Sequence, residues 1–377
     1  MNMNSKAFIG IIIPVIFLSL SYGILVGAYE FFPYDQISQI KEITFDELSR
    51  EVSMTNQVNL QSLEPVLIEI NNSNDITQKQ NSLIKYIWKN NFPTELPLKI
   101  ENDFSDKQIG EFKNLDSLEK ISIPMEYGIE SVVYHLISEK PNNKLVIYHH
   151  GHSGDFRFET DTINYFLDKG YSVLAFNMPL KGMNNQPTID TTDFGKIKFV
   201  SHRQFPLLES DDFSPLKYFI HPIILSLNYI DEFYNYASYD MVGLSGGGWT
   251  TIISSAIDNR ISQSFSVAGS YPLYLRYESQ NIGDYEQLHP DIYKIANYLE
   301  LYVMGSSGDN RKLVQIFNKY DPCCFTGELS ESYETLVKKK ASELNGNFEI
   351  YIDASHKEHK ISQNSLELIH DSLNKSE

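Results

Sequence analysis

From residue 117 to the C-terminus, short apolar runs alternate with stretches of helical spacing. Runs such as Leu145-Val146-Ile147-Tyr148 and Val173-Leu174-Ala175-Phe176 show no polar face. That suits strands buried on both sides of a parallel sheet. The pattern predicts strands at 120–125, 131–138, 144–149, 171–177, 240–244, 263–268, 313–318 and 348–352. Helical stretches at 160–169, 222–236 and 249–257 separate most of the later ones, and a last helix is expected over 363–373. Alternation of this kind predicts an α/β fold, an eight-stranded and mostly parallel sheet with helices on both faces. The first two strands are joined by a short connection, so they are expected to pair antiparallel at one edge.

Two segments break the alternation. Residues 178–221 follow the fourth predicted strand and residues 270–311 the sixth. Both leave strand ends at which an open α/β sheet carries its site, so they read as inserts that shape a lid and a pocket. His202-Arg203 and Asp211-Asp212 in the first insert read as solvated loop charges. Residues 30–116 are polar and rich in Asn and Gln. They read as a helical stalk or cap, with a helix at 75–88 capped by Asp75.

The N-terminus changes the picture. Residues 7–29 carry no charge, a run of 23 positions. A secretory core is usually 7–15 residues long and a bilayer span needs roughly 20, so the run reads first as a transmembrane anchor. Val26-Gly27-Ala28 also suits signal cleavage. With Lys6 before the run and Glu30 and Asp35 after it, either reading places the remainder outside the cytoplasm. The regions are thus 1–29 (anchor or signal), 30–116 (stalk or cap) and 117–377 (the α/β domain with its two inserts).

Composition excludes more than it selects. A net charge of -18 argues against nucleic acid as a partner. The two cysteines are neighbours, Cys323-Cys324, and two separate thiols are expected. No Cys/His ligand spacing points to zinc, so no metal or cofactor is expected. Oligomeric state is left open.

The chemistry concentrates at Gly243-Leu244-Ser245-Gly246-Gly247. It follows an apolar strand and precedes a helical stretch. A sharp strand-to-helix turn there would push the Ser245 hydroxyl out above the sheet, and the glycines two before and two after it leave room for that turn. No lysine stands in phosphate-loop position. The strand order and this turn resemble the α/β-hydrolase superfamily over roughly residues 117–377.

The resemblance implies further residues. Negative charge on a tetrahedral intermediate is usually held by two backbone N–H groups. One would come from Gly246 and the other from the loop His149-His150-Gly151-His152, by carry-over from His152 with Gly151 beside it. A metal reading of these three histidines is weaker, since neighbouring strand residues face opposite ways. The family order of serine, acid and histidine implies Asp321, just past the strand at 313–318, rather than Asp309. The histidine belongs on the loop after the last strand, where His356 and His359 both qualify. Three residues beyond His359, Ser362 suits a helix cap. His370 reads as a surface residue within that helix.

The expected activity is hydrolysis of a carboxylic ester or related acyl bond in a small-molecule acyl substrate, by a Ser-His-Asp triad and an acyl-enzyme. A peptidase of the same fold, an acyl transferase and a membrane-anchored binding protein on a hydrolase scaffold are the alternatives.

Overall fold

The computed structural model describes residues 18–19, 21–22, 68–102, 112–276 and 282–374. Residues 60–377 form one compact unit and residues 1–59 another. Apart from positions 18, 19, 21 and 22, the charge-free run at 7–29 lies outside the described residues, as does the expected stalk over 30–67. Among the described residues no helix is long and apolar enough to cross a membrane.

In chain order the larger unit contains α1 (Ser73–Trp88), β1 (Lys99–Asn102), β2 (Leu115–Pro124), β3 (Glu130–Ser138), β4 (Lys144–His149), α2 (Asp161–Asp168) and β5 (Ser172–Phe176). A hairpin of β6 (Thr188–Thr191) and β7 (Gly195–Lys198) follows. Then come α3 (Lys217–Phe233), β8 (Ser238–Leu244), α4 (Gly246–Ile257) and β9 (Ile261–Val267). The short helices α5 (Tyr285–Leu288) and α6 (Pro290–Ile295) precede α7 (Tyr298–Ser306), β10 (Lys312–Asn318), α8 (Glu331–Glu343), β11 (Asn347–Asp353) and α9 (Gln363–Asn374).

One mixed sheet runs in the order β1-β2-β3-β5-β4-β8-β9-β10-β11. The pairs from β5 to β11 are parallel, and β1, β2 and β3 add antiparallel at one edge. All eight expected strands form. The sheet has nine strands, because Lys99-Ile100-Glu101-Asn102 joins the antiparallel edge. That polar edge strand has no apolar run to announce it.

Alternation along the strands feeds two cores. Val146, Val173, Val242 and Val314 pack with Ile163 and Phe166 of α2 and Leu366 and Ile369 of α9. Leu145, Ile147 and Met241 face the other way, toward Ile223, Leu227 and Ile230 of α3. Every residue of α4 is buried, and its Thr250, Thr251 and Ser255 hydroxyls donate to carbonyls of the helix itself. Each such Ile or Trp contributes roughly 1.5–3 kcal/mol by leaving water.

Residues on both sides of position 116 contribute to one core. Leu83 and Ile87 of α1 lie wholly in the largest core cluster, beside Ile252 and Tyr302. Gln80 Nε2 donates to the Ala256 carbonyl at 3.0 Å, and Lys79 pairs with Glu300 at 3.1 Å. The cap of α1 is also corrected. Asn72 accepts from the N–H groups of Asn74 and Asp75, while Asp75 returns the bond as the third helical residue. Helix α3 begins at Lys217, five residues before the expected start, with Pro222 inside it.

Candidate active site

Strand β8 ends at Leu244 and α4 begins at Gly246, leaving Ser245 alone in the turn. Its backbone lies at φ 56° and ψ -121°, a conformation that costs a non-glycine residue about 1–3 kcal/mol. Both neighbours in the chain hold it there. The Ser245 N–H donates to the Val267 carbonyl at 2.8 Å, extending the β8–β9 ladder, and its carbonyl accepts the first helical bond, from Trp249, at 3.1 Å. A side chain on Gly243 would stand 2.1 Å from the Gly247 carbonyl oxygen, and one on Gly247 2.0 Å from that of His149. Only hydrogen fits at either place, which is the spacing read from the motif. Helix α4 starts three residues earlier than expected, since the glycines themselves form its first turn.

The loop after β4 packs directly on this turn. A Cβ on Gly151 would lie 2.9 Å from the Ser245 Cβ and 3.5 Å from its Oγ. The backbone N–H groups of Gly246 and His152 have no hydrogen-bond partner among the described residues. His149 and His150 face apart. His149 stacks on Phe176, and burial pushes its imidazole down to about 4. His150 pairs with Glu159 at 3.0 Å. The His150 hydrogen bond holds the Glu159 carboxyl low against burial, and His359 adds to the effect. The loops of His150 and His359 therefore lie within electrostatic reach of one carboxylate.

Beyond β10, Asp321 is clamped in a turn. Its Oδ1 accepts the N–H groups of Cys323 and Cys324 at 2.8 and 3.0 Å, and its Oδ2 accepts from Asn318 Nδ2 at 3.4 Å and from His359 Nδ1 at 2.7 Å. With Nδ1 protonated, His359 presents a bare Nε2. Among the described residues neither that atom nor Ser245 Oγ has a hydrogen-bond partner. Asp309 is exposed in its turn, away from any histidine pairing.

Of the two histidine candidates, His359 meets the acid. His356 Nδ1 accepts from the Glu358 N–H at 3.2 Å, and its Nε2 lies 3.7 Å from Asp353 Oδ2. Asp353, at the end of β11, accepts from the N–H and hydroxyl of Ser355 at 2.8 and 2.6 Å, from Ser365 Oγ at 2.9 Å and from Ser362 Oγ. Ser362 caps α9 as expected, accepting from the Ser365 N–H at 3.0 Å. The loop bearing His359 is thus tied at its base. Sequence reasoning missed this clamp, although three serines around one aspartate were there to be read.

The expectation of two separate thiols is overturned. Cys323 and Cys324 form a disulfide between neighbours, in the tight turn that also gives both their N–H groups to Asp321. His370 is half-buried and hydrogen-bonded to the Tyr171 hydroxyl at 3.1 Å, so it is more than a surface residue. Asp211 and Asp212 are exposed, as expected.

His202 is not a loop charge. It is buried, stacked on Phe205, and its Nε2 donates to the Pro179 carbonyl at 2.8 Å. Its Nδ1 lies 3.3 Å from Glu286 Oε2, while Glu286 Oε1 lies 2.8 Å from His152 Nε2. Burial works against charge on Glu286, but the two imidazoles hold its carboxyl well below the usual range. Burial likewise opposes charge on His152, and Glu286 outweighs it, raising the imidazole. The ring edge of His152 abuts the nucleophile turn, 2.3 Å from where a Cβ on Gly246 would sit. Glu286, from the second insert, gave no signal in sequence.

The fold and the turn at Ser245 define the α/β-hydrolase fold class. Two solved structures share it. Acetyl xylan esterase 1 from Thermoanaerobacterium sp. JW/SL YS485 superposes with a TM-score of 0.55 at 14% identity, over 85% of this chain and 99% of that one. An acetyl xylan esterase from Paenibacillus sp. R4 gives 0.54 at 13% identity, over 84% and 99%. No family model and no curated protein matches the sequence.

Proposed function

We propose that this chain is a serine hydrolase that cleaves a carboxylic ester. The observation that carries the reading is Ser245, held at positive φ on the turn where β8 becomes α4. The Asp321–His359 pair on the loops after β10 and β11 supports it. The ends of parallel neighbouring strands lie on one edge of the sheet, where such folds bind ligands.

In this mechanism His359 Nε2 takes the Ser245 proton as Oγ attacks the ester carbonyl. The hydrogen bond between them closes with substrate, as catalytic hydrogen bonds often do. Asp321 holds the imidazolium. The N–H groups of Gly246 and His152 receive the negative oxygen, each worth about 10²–10³ in rate. The protonated His359 then gives its proton to the leaving alkoxide, and the acyl group stays on Oγ. Water, deprotonated by the same Nε2, attacks the acyl-enzyme and releases the acid, and Ser245 recovers its proton. The names of the two structural neighbours favour an ester over an amide.

Fluorophosphonate labelling of the purified chain tests this. Wild type and His356→Ala should be labelled, and Ser245→Ala and His359→Ala should not. A folded wild type that resists the probe, or a labelled Ser245→Ala, overturns the reading.

The charge-free run at 7–29 supports an extracytoplasmic catalytic unit, anchored or released by cleavage. Alkaline washing of membranes separates the two, and recovery in the cytosolic fraction overturns both.

A further inference from the structure

His152, His202, Asp284 and Glu286 each bring one donor atom into a cluster in which all lie within 4.8 Å of one another. They come from the loop after β4, from the first insert and from the second. Three separations are 2.8 Å (His152 Nε2 to Glu286 Oε1), 3.3 Å (His202 Nδ1 to Glu286 Oε2) and 3.6 Å (His152 Nε2 to Asp284 Oδ2). A four-coordinate ion with bonds of roughly 2.0–2.2 Å spaces its ligand atoms by about 3.4 Å. Two of the three separations have that scale, and the third is a His152–Glu286 hydrogen bond that an ion would replace.

The His202–Glu286 contact is the anomaly. The Pro179 carbonyl can only accept, so His202 Nε2 carries a proton and donates it there. Its Nδ1 faces a Glu286 carboxylate oxygen 3.3 Å away. Both residues are almost fully buried, at 1% and 0% exposure, and neither His202 Nδ1 nor Glu286 Oε2 has a hydrogen bond. Buried polar atoms without a hydrogen bond are costly, and an ion between these two would satisfy both. Arg203 is no substitute, since it is exposed and its guanidinium lies 3.7 Å from Asp284. A metal-bound imidazole commonly donates its other N–H to a backbone carbonyl, as His202 does.

We propose that these four residues bind one divalent transition-metal ion of the zinc type, through two imidazole nitrogens and two carboxylates. Imidazole with carboxylate is a donor set that zinc accepts in tetrahedral geometry. The ion is structural. It ties both inserts to the loop that presents the His152 N–H to the substrate oxygen, and it balances the charge of Glu286. No spacing motif announces it, because its members are separated by up to 134 positions.

The test uses the full chain, stripped with a chelator and titrated with Zn²⁺ in a calorimeter and with Co²⁺ in an absorption cell. One equivalent should bind, with the strong visible bands of tetrahedral cobalt. Glu286→Gln and His202→Ala should abolish uptake. Asp284→Asn, at a half-exposed position that no core depends on, should weaken it at least about tenfold with an unchanged circular dichroism spectrum. Ser245→Ala and Asp309→Asn should bind as wild type does. A folded, stripped chain that takes up neither ion overturns the proposal, and so does uptake that Asp284→Asn and Glu286→Gln leave unchanged.

Discussion

His359 on Asp321 and His152 on Glu286 sit at nearly equal distances, 2.7 and 2.8 Å, yet their carboxylates are housed differently. Asp321 takes two peptide N–H groups and an amide before it meets its imidazole. Its charge is already spread over fixed dipoles, so one further bond suffices to set the tautomer of His359. Glu286 is wholly buried, and its close partners are two imidazoles. There the carboxylate demands positive charge rather than receiving dipoles. The first arrangement fixes the orientation of one imidazole, and the second surrounds a buried carboxylate beside the turn at Ser245. Distance alone does not separate the two roles. The remaining partners of each carboxylate do.

Kinetics against an aryl acetate give the largest test of that contrast. Ser245→Ala and His359→Ala should each lower kcat by about 10⁶-fold, and His356→Ala by no more than about threefold. Equal losses from the two histidine variants would remove the orienting pair from the comparison. Next, Asp321→Asn should cost about 10⁴-fold in kcat, as expected when the wrong tautomer is favoured. Glu286→Gln should cost only about 10–100-fold, the range usual for groups that support a site from behind. A Glu286→Gln loss as large as that of Asp321→Asn would make both carboxylates parts of one catalytic unit.

The smallest effect concerns stability. Burial raises the Asp353 carboxyl, but its Ser355, Ser362 and Ser365 donors prevail and hold it at about 2. The unfolded value is about 3.9, so the folded group is depressed. Its stabilisation, about 3 kcal/mol, is fully present above about pH 4 and is lost as pH falls toward about 2. Urea midpoints across that window should fall in wild type and stay flatter in Asp353→Asn. Parallel curves would mean that the clamp does not secure the His359 loop.

The orienting pair was largely legible in the sequence and the charge-holding pair was not. Ser245 and Asp321 stand at the ends of apolar runs, and a buried parallel strand must be apolar on both faces. The position of Ser245 therefore follows from hydropathy, and that of Asp321 from the resemblance to the α/β-hydrolase superfamily together with the strand that precedes it. The choice between His356 and His359 was not legible, because both occupy one short loop and only the ties to Asp353 and Asp321 distinguish them. Strand β1 and the β6–β7 hairpin escaped because Lys99-Ile100-Glu101-Asn102 and Thr188-Ile189-Asp190-Thr191 are half-polar and lie at edges. The start of α3 was misplaced because Pro222 reads as a first-turn residue, whereas Lys217–His221 are drawn into helix by the core they fill. Glu286 and His202 sit on inserts, where position owes nothing to periodicity.

The bond from Ser362 to Asp353 closes the segment between them into a small ring. Chain closure depends only weakly on length, and doubling a flexible loop costs about 0.6 kcal/mol. Residues added within 354–358 would therefore leave the sheet and α9 nearly as stable as before, while carrying His359 away from Asp321. His359 is thus mounted on a part whose length selection or engineering can vary independently of folding. Variants of this loop would lose turnover well before they lose solubility.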